Sequence, residues 1–173
     1  MRLAKYRAKR NLKTSLEPPA KIRKKKSREL IFVVQKHRAT HLHYDLRLEV
    51  DGVLKSWAVP KEPSSDPSVK RLAIMVEDHP YAYKDFKGTI PSGYGAGTVA
   101  IWDSGTYSVF GETPEKSEKL IKEGLKKGKI EFSLKGKKLK GTFYLVRFKN
   151  SEKNEWLLIK KDEKNRKTKT YKS

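Results

Sequence analysis

His43, Asp45 and Arg47 stand two residues apart in the stretch His41–Val50, HLHYDLRLEV. If that stretch is a strand, side chains alternate faces, so all three emerge on one side with Cα atoms about 6.5–7 Å apart. An imidazole and a carboxylate at that spacing can bite one metal ion. His37, across a short Arg38–Thr40 turn, could close the site from the neighbouring strand as a third ligand. Two histidines and one carboxylate with open positions suit Mn²⁺, Fe²⁺, Zn²⁺ or Co²⁺. A guanidinium beside a cation makes sense only with an anion between them, and the planar fork of Arg47 suits phosphate. A metal and an arginine that share a phosphoryl oxygen are equipped for phosphoester hydrolysis. The competing reading is a polar, solvent-facing side of a one-sided antiparallel sheet. His41 reads as a peripheral substrate or surface group, and Glu49 as a solvated one.

His79 precedes Pro80 at the end of an apolar run, Arg71–Val76. The proline biases it toward extended backbone, so its ring can be aimed at a phosphate or a leaving oxygen. The alternative is an ordinary loop histidine. Tyr83, four residues on, reads equally well as packing. The glycine-rich loop Pro91–Gly97 (PSGYGAG) leads into a strand-like segment and lacks a Lys-Ser/Thr, so neither a Rossmann turn nor a P-loop fits. A backbone turn closing one end of a barrel suits it better. No cysteine is present, which excludes a thiol nucleophile, a disulfide scaffold, a cysteine zinc ribbon and an iron–sulfur cluster.

The elements that must position these groups are short strands. Leu30–Lys36 reads as a buried strand, and in His41–Val50 the residues Leu42, Tyr44, Leu46, Leu48 and Val50 form the opposite, apolar face. Asp51-Gly52 is a preferred hairpin turn, returning the chain as Val53–Val59. Further strands are expected at Arg71–Val76, Thr98–Asp103, Thr106–Phe110, Lys129–Leu134, Gly141–Phe148 and Glu155–Lys160. Thr113–Lys127 has helical spacing, an N-cap threonine, early glutamates and late lysines. So many short strands with one clear helix argue for a small antiparallel sheet system, and a closed or half-open barrel disposes of the edges most economically.

The chain has 173 residues, the size of one domain, and a formal charge of +21. The excess is uneven: net +10 over Met1–Glu29, −1 over Leu30–Glu112 and +12 over Thr113–Ser173. All four histidines lie in the near-neutral middle. Such a charge attracts polyanions, nucleic acid above all, although a lysine-rich solvated surface also fits. Lys21–Arg28 and Lys161–Ser173 are expected to be arms that order on a phosphate backbone. No apolar run approaches the roughly 20 residues of a membrane span, and the basic N-terminus has no apolar stretch after it. The expectation is a cytoplasmic chain, not associated with membranes.

Phe32–His37, Leu42–Glu49 and Leu54–Lys61 resemble the 3′-phosphoesterase domain of bacterial DNA ligase D and its free-standing archaeal relatives. So do Glu77–Pro80, Ile90-Pro91, Tyr94–Gly97, Trp102-Asp103, Leu145–Arg147 and Trp156–Lys160. The resemblance implies a mainly β fold: a compact antiparallel β-barrel with a crescent-shaped groove and one or two peripheral helices. It implies a manganese-dependent enzyme, with Co²⁺ or Zn²⁺ as other metals, that trims 3′ ends at breaks. A phosphodiesterase step removes a 3′-terminal ribonucleoside, and a phosphomonoesterase step then removes the 3′-phosphate to leave a 3′-OH. By motif position His37, His43 and Asp45 resemble the metal ligands, Arg47 and His79 the phosphate-binding pair, and Tyr83 a further site residue. Gln35, Lys61 and Arg71 match polar residues lining the groove, and Arg10 and Glu17 match a basic and an acidic residue of the N-terminal segment.

On this reading residues 1–29 form a basic arm contributing to the site, 30–160 the barrel domain and 161–173 a basic, flexible tail. The partners expected are DNA or RNA/DNA primer–template 3′ ends, with ligase and polymerase as separate proteins and the chain a monomer. The family commonly has Arg-Asp-Phe where this chain has Arg10-Asn11-Leu12, and the Gly93–Gly97 turn is one residue shorter. Two other readings compete: a non-catalytic basic barrel that binds nucleic acid, and a metal-dependent oxygenase, which would leave Arg47 without a task.

Overall fold

The computed structural model describes residues 3–11, 16–22, 28–149 and 154–163. Among the described residues there are nine strands: β1 (Leu30–Arg38), β2 (Leu42–Val50), β3 (Val53–Val59), β4 (Lys70–Pro80), β5 (Gly88–Ile90), β6 (Gly97–Ser108), β7 (Lys129–Lys135), β8 (Lys140–Arg147) and β9 (Glu155–Lys160). Two α-helices, α1 (Ala4–Ala8) and α2 (Pro114–Lys127), and a 3₁₀ turn, Tyr81–Asp85, complete the description. The strands pair antiparallel in the order β1-β2-β3-β4-β9-β8-β7-β6, and β6 returns to β1, closing an eight-stranded barrel with β5 added on β6. Among the described residues, no helix is long and apolar enough to cross a membrane.

Alternation in β2 decides what is inside. Tyr44, Leu46, Leu48 and Val50 join Phe32, Val34, Trp57, Phe132, Phe143 and Trp156 in the barrel core. Asp51 and Gly52 both take positive φ, 52° and 77°, the backbone of a two-residue hairpin whose twist matches its strands. That turn fixes the register, so Arg47 lies opposite Ser56 and Asp45 opposite Ala58. The helix α2 is capped by Thr113, whose side chain accepts from the Lys116 N–H, and ends at left-handed Gly128. It buries Ile121 in the barrel core.

A second, smaller core lies on the outer face of the sheet. Leu3 and Tyr6 of the N-terminal segment pack with Val53, Leu54 and Tyr83. Burying those two N-terminal side chains contributes about 3–6 kcal/mol toward holding the segment against the barrel. The outer face of β1–β4 is therefore roofed, and the solvent-facing reading of its polar residues is wrong. Gln35 is 0%, Arg47 3%, His79 3% and Asp45 5% exposed. Glu49, expected to be solvated, is likewise buried, and its carboxylate accepts the Ile31 N–H at 3.1 Å.

Two further expectations change. The expected strands Thr98–Asp103 and Thr106–Phe110 merge into one twelve-residue strand, β6, which ends at Ser108 and leaves Val109 and Phe110 outside it; its register along β1 shifts at Val34/Gln35. The glycine-rich segment is preceded by a three-residue strand, β5. Within the two expected arms, residues 23–27 and 164–173 lie outside the described residues.

Asp103 shows how the barrel fixes a surface turn. Its buried carboxylate accepts the backbone N–H groups of Ser104, Lys137, Lys138 and Leu139 at 2.8–3.2 Å, tying the β7–β8 turn across to β6. Asp103→Ala leaves those donors without their acceptor and is expected to cost about 2–4 kcal/mol. A urea melt checks it: the midpoint falls at unchanged slope, and a loss under about 1 kcal/mol would show that water replaces the carboxylate.

Candidate metal and phosphate site

His37 on β1 and His43 on β2 are register partners, and Asp45 sits diagonally from His37. One ligand atom from each of the three lies within 4.8 Å of the others. His37 Nδ1 is 3.6 Å from Asp45 Oδ2, and His43 Nε2 is 3.3 Å from Asp45 Oδ1. Each imidazole gives its other nitrogen to a backbone carbonyl: His37 Nε2 to Gly95 at 2.7 Å and His43 Nδ1 to His41 at 3.1 Å. A carbonyl only accepts, so those nitrogens carry the protons, and the lone pairs of His37 Nδ1 and His43 Nε2 converge on Asp45. This donor set fits one divalent cation.

Arg47 is clamped on three sides. Its Nε donates to Gln35 Oε1 at 2.6 Å, its Nη1 to Ser56 Oγ at 2.9 Å, and its Nη2 lies 3.4 Å from Asp45 Oδ2. The guanidinium also stands 4.8 Å from the Tyr83 ring centroid. Gln35 cannot flip, because its amide N–H groups donate to the carbonyls of Tyr83 and Phe86 at 2.7 and 3.0 Å.

The N-terminal segment completes the wall. Arg10 donates from Nε to Glu17 at 2.8 Å and from Nη1 to Glu77 at 3.2 Å, and its Nη2 reaches His79 Nε2 at 3.2 Å. Arginine only donates, so His79 Nε2 is the acceptor and its Nδ1–H points at the Glu77 carbonyl, 3.0 Å away. Burial, with Arg47 and Arg10 adding, holds His79 well below the usual histidine range, so the resting imidazole is neutral. Burial likewise raises the Tyr83 phenol, which stays protonated and donates to Glu17 at 2.7 Å. Asp45 moves the other way: burial pushes it up, but the Arg47 guanidinium beside it pulls harder and holds it ionised.

One pocket of about 280 Å³ is lined by His37, His43, Asp45, Arg47, His79, Tyr83, Arg10 and Glu17 together. Three expected residues are placed differently. Gln35 lies fully buried beneath the pocket and acts on Arg47 instead of lining the groove. Lys61 and Arg71 do not line the pocket, and Arg71 donates to the Glu62 carbonyl at 2.8 Å. Asn11 lines a neighbouring hollow. Sequence reasoning missed Ser56, Glu77 and the Gly95 carbonyl. Ser56 was available from the Asp51-Gly52 turn, which sets it opposite Arg47, whereas nothing local pointed to Gly95.

The profile of the DNA ligase D 3′-phosphoesterase domain matches residues 35–147. The chain belongs to this family. The multifunctional non-homologous end joining protein LigD of Pseudomonas aeruginosa is 47% identical over 161 residues, covering 91% of this chain and 18% of that protein. The multifunctional non-homologous end joining DNA repair protein LigD of Mycobacterium tuberculosis is 43% identical over 149 residues, 84% of this chain and 18% of its own length. The Mycolicibacterium smegmatis LigD is 42% identical over 166 residues, 95% and 21%. The chain thus spans about a fifth of the length of the curated relatives it matches. The stretch matched to the phosphoesterase family contains the three convergent donors, Arg47, His79 and Tyr83.

Proton and metal compete for His43 Nε2. Burial lowers the His43 pKa, but the Asp45 carboxylate outweighs it and the net shift is upward from 6.5. The ring is protonated below its pKa, so Mn²⁺ or Zn²⁺ affinity is expected to fall as the pH drops from neutrality, by up to about tenfold per unit. Calorimetric titration between about pH 8 and pH 5.5 measures this, and His43→Ala is expected to lose more than about 100-fold at pH 8. Affinity that is flat with pH and indifferent to His43→Ala would remove this histidine from the ligand set.

Proposed function

We propose that this chain is a divalent-metal-dependent 3′-phosphoesterase that heals nucleic-acid ends. The observation that carries the reading is the convergence of three metal donors, His37, His43 and Asp45, with a buried, clamped guanidinium 3.4 Å from the Asp45 carboxylate. A bound cation would neutralise a non-bridging phosphoryl oxygen and lower the pKa of water to furnish the nucleophile. Mn²⁺ is the metal the family resemblance implies, and the donor set also accepts Co²⁺ or Zn²⁺.

The chain's own groups then have distinct tasks. Arg47 spends Nε and Nη1 on Gln35 and Ser56, which leaves Nη2 on the pocket side to meet phosphate. His79 is neutral at rest and holds the Arg10 Nη2 hydrogen, so an arriving phosphate oxygen competes for that donor. The anion that arrives also favours protonation of His79, which can then bind the phosphoryl group or serve the leaving oxygen.

In the first step water adds to phosphorus, the P–O5′ bond to the 3′-terminal ribonucleoside breaks, and O5′ takes the proton. A 3′-phosphate remains on the strand. In the second step water adds again, the P–O3′ bond breaks, O3′ is protonated and inorganic phosphate leaves. The substrates are DNA or RNA/DNA 3′ ends, handed on to a ligase and a polymerase in break repair within the cytoplasm. The relatives' names place those proteins in non-homologous end joining.

An end-labelled primer–template carrying a 3′-terminal ribonucleotide tests this, incubated with Mn²⁺, Mg²⁺, Zn²⁺ or EDTA. The expected outcome is a ladder through a 3′-phosphate to a 3′-OH that EDTA abolishes. Asp45→Ala is expected to lower both steps by at least about 10³-fold while duplex binding persists. Hydrolysis unchanged in Asp45→Ala overturns the assignment, and binding without hydrolysis in the native chain favours the non-catalytic barrel.

A further inference from the structure

Two unlike hollows flank the central pocket. Val76 and Glu77 connect it to a wide groove of about 810 Å³ that carries Lys5, Lys9 and Lys55, the last two paired at 3.0 Å with Glu77 and Asp78. Arg10, Glu17 and Tyr94 are shared with a small hollow of about 180 Å³, closed by Asn11 and the Pro91–Gly93 turn. A scissile 3′-diester also has two unlike arms: a long polyanionic strand and one uncharged nucleoside.

We propose that the small hollow receives the terminal nucleoside that leaves in the first step, with Tyr94 as its stacking platform, and that the retained strand follows the lysine groove. This assignment rests on the end-healing reading above. Size sets the direction. The wide groove has room for a strand and keeps a small positive excess, with Lys5 beside the Lys9–Glu77 and Lys55–Asp78 pairs, whereas the small hollow, which Lys9 also borders, offers an aromatic ring and space for a single unit.

Tyr94 is held in place despite being 47% exposed. Gly93 and Gly95 on either side take φ of 82° and 78°, a backbone that presents the tyrosine outward and that L side chains rarely adopt. Lys9 donates to the phenol oxygen at 3.3 Å and stands 4.6 Å from the ring centroid, and the Arg10 guanidinium stands 5.4 Å from it. The next residue's carbonyl, Gly95, takes the His37 proton, so one short turn sets both a metal donor and the platform. A π-face accepts any base, so the subsite reads the presence of a base and not its identity. Tyr94 is thus a positioning residue for the diester step, in which a nucleoside departs, and has no partner to position once only a 3′-phosphate remains.

The test compares kcat/KM on two oligonucleotides of one sequence, ending in a 3′-ribonucleoside or in a 3′-phosphate. Tyr94→Ala is expected to lower the ratio of nucleoside release to phosphate release by about 10- to 100-fold, the size of one lost stack, mainly through KM. Tyr94→Phe keeps the ring and is expected to keep the ratio. Lys5→Gln, on the strand side, is expected to weaken both reactions alike and to flatten their salt dependence. A terminal ribose lacking its base reproduces the Tyr94→Ala loss in the native chain, and Tyr94→Ala then adds nothing. Equal loss on both substrates, or normal release of the base-less ribose, overturns the subsite. A native chain that releases neither product overturns the end-healing reading, and the subsite with it.

Discussion

The ionised carboxylate of Asp45 is the constraint on which the site rests. Taking a carboxylate out of water costs several kcal/mol unless its partners are close and fixed. Asp45 has Arg47, and the nitrogens of His37 and His43 that face it join as partners when they carry a proton or a bound cation. Each partner is itself held in place. Gln35 and Ser56 clamp Arg47, the Gly95 carbonyl fixes His37, and the His41 carbonyl fixes His43. The pocket is therefore preorganised before any ligand arrives, which is what lets fixed dipoles act on a developing charge without reorganising. Glutamine suits position 35 for a specific reason: it can donate twice to backbone and accept once from a guanidinium, a combination no apolar or acidic side chain supplies.

The fold separates stability from chemistry. The barrel interior is apolar and carries the aromatic residues Trp57, Trp156, Phe132 and Phe143, none of which lines the pocket. The site sits on the outside of the same strands, under a roof made by the N-terminal segment and the 3₁₀ turn. β2 therefore serves both faces, with Tyr44, Leu46, Leu48 and Val50 filling the barrel and His43, Asp45 and Arg47 lining the site, while Leu42 at its start is exposed. The roof explains how so polar a face becomes dry enough for Asp45, Arg47 and His79 to interact strongly. Arg10 couples the roof to the site, since one guanidinium engages Glu17 from its own segment and Glu77 and His79 from β4.

Much of this was legible in the residues. Strict alternation in His41–Val50 separated core from site, and the Asp51-Gly52 turn fixed the register that places Ser56 under Arg47. The convergence of His37, His43 and Asp45 followed from period-two spacing and one short turn. Burial of the polar face was not legible, because an exposed polar face and one roofed by a distant segment have the same alternation. The roofing contacts join residues far apart in sequence, such as Arg10 with His79 and Tyr83 with Glu17. Glu49 was misread for the same reason: its partner, the Ile31 N–H, lies across a strand pair and not along the chain. Lys61 lies just past β3 and Arg71 at the start of β4, yet neither lines the pocket, and Arg71 turns to the Glu62 carbonyl, which spacing alone does not give.

Charge is distributed to match this division. The basic excess lies in the N-terminal 29 residues and from Thr113 onward, while the segment holding most of the site is near neutral. Inside the pocket two guanidiniums, Arg10 and Arg47, face three carboxyl groups, Glu17, Asp45 and Glu77, with Lys9 paired to Glu77 from the rim. The flanks can draw a polyanion over long range, where salt screens them, while the buried groups act at contact distance, where salt screens little. A pocket already strongly positive would hold phosphate without help and release it slowly. On the proposed function, a nearly balanced pocket would attract phosphate only once a divalent cation tipped it, so that affinity for the scissile group and the ability to hydrolyse it would appear together.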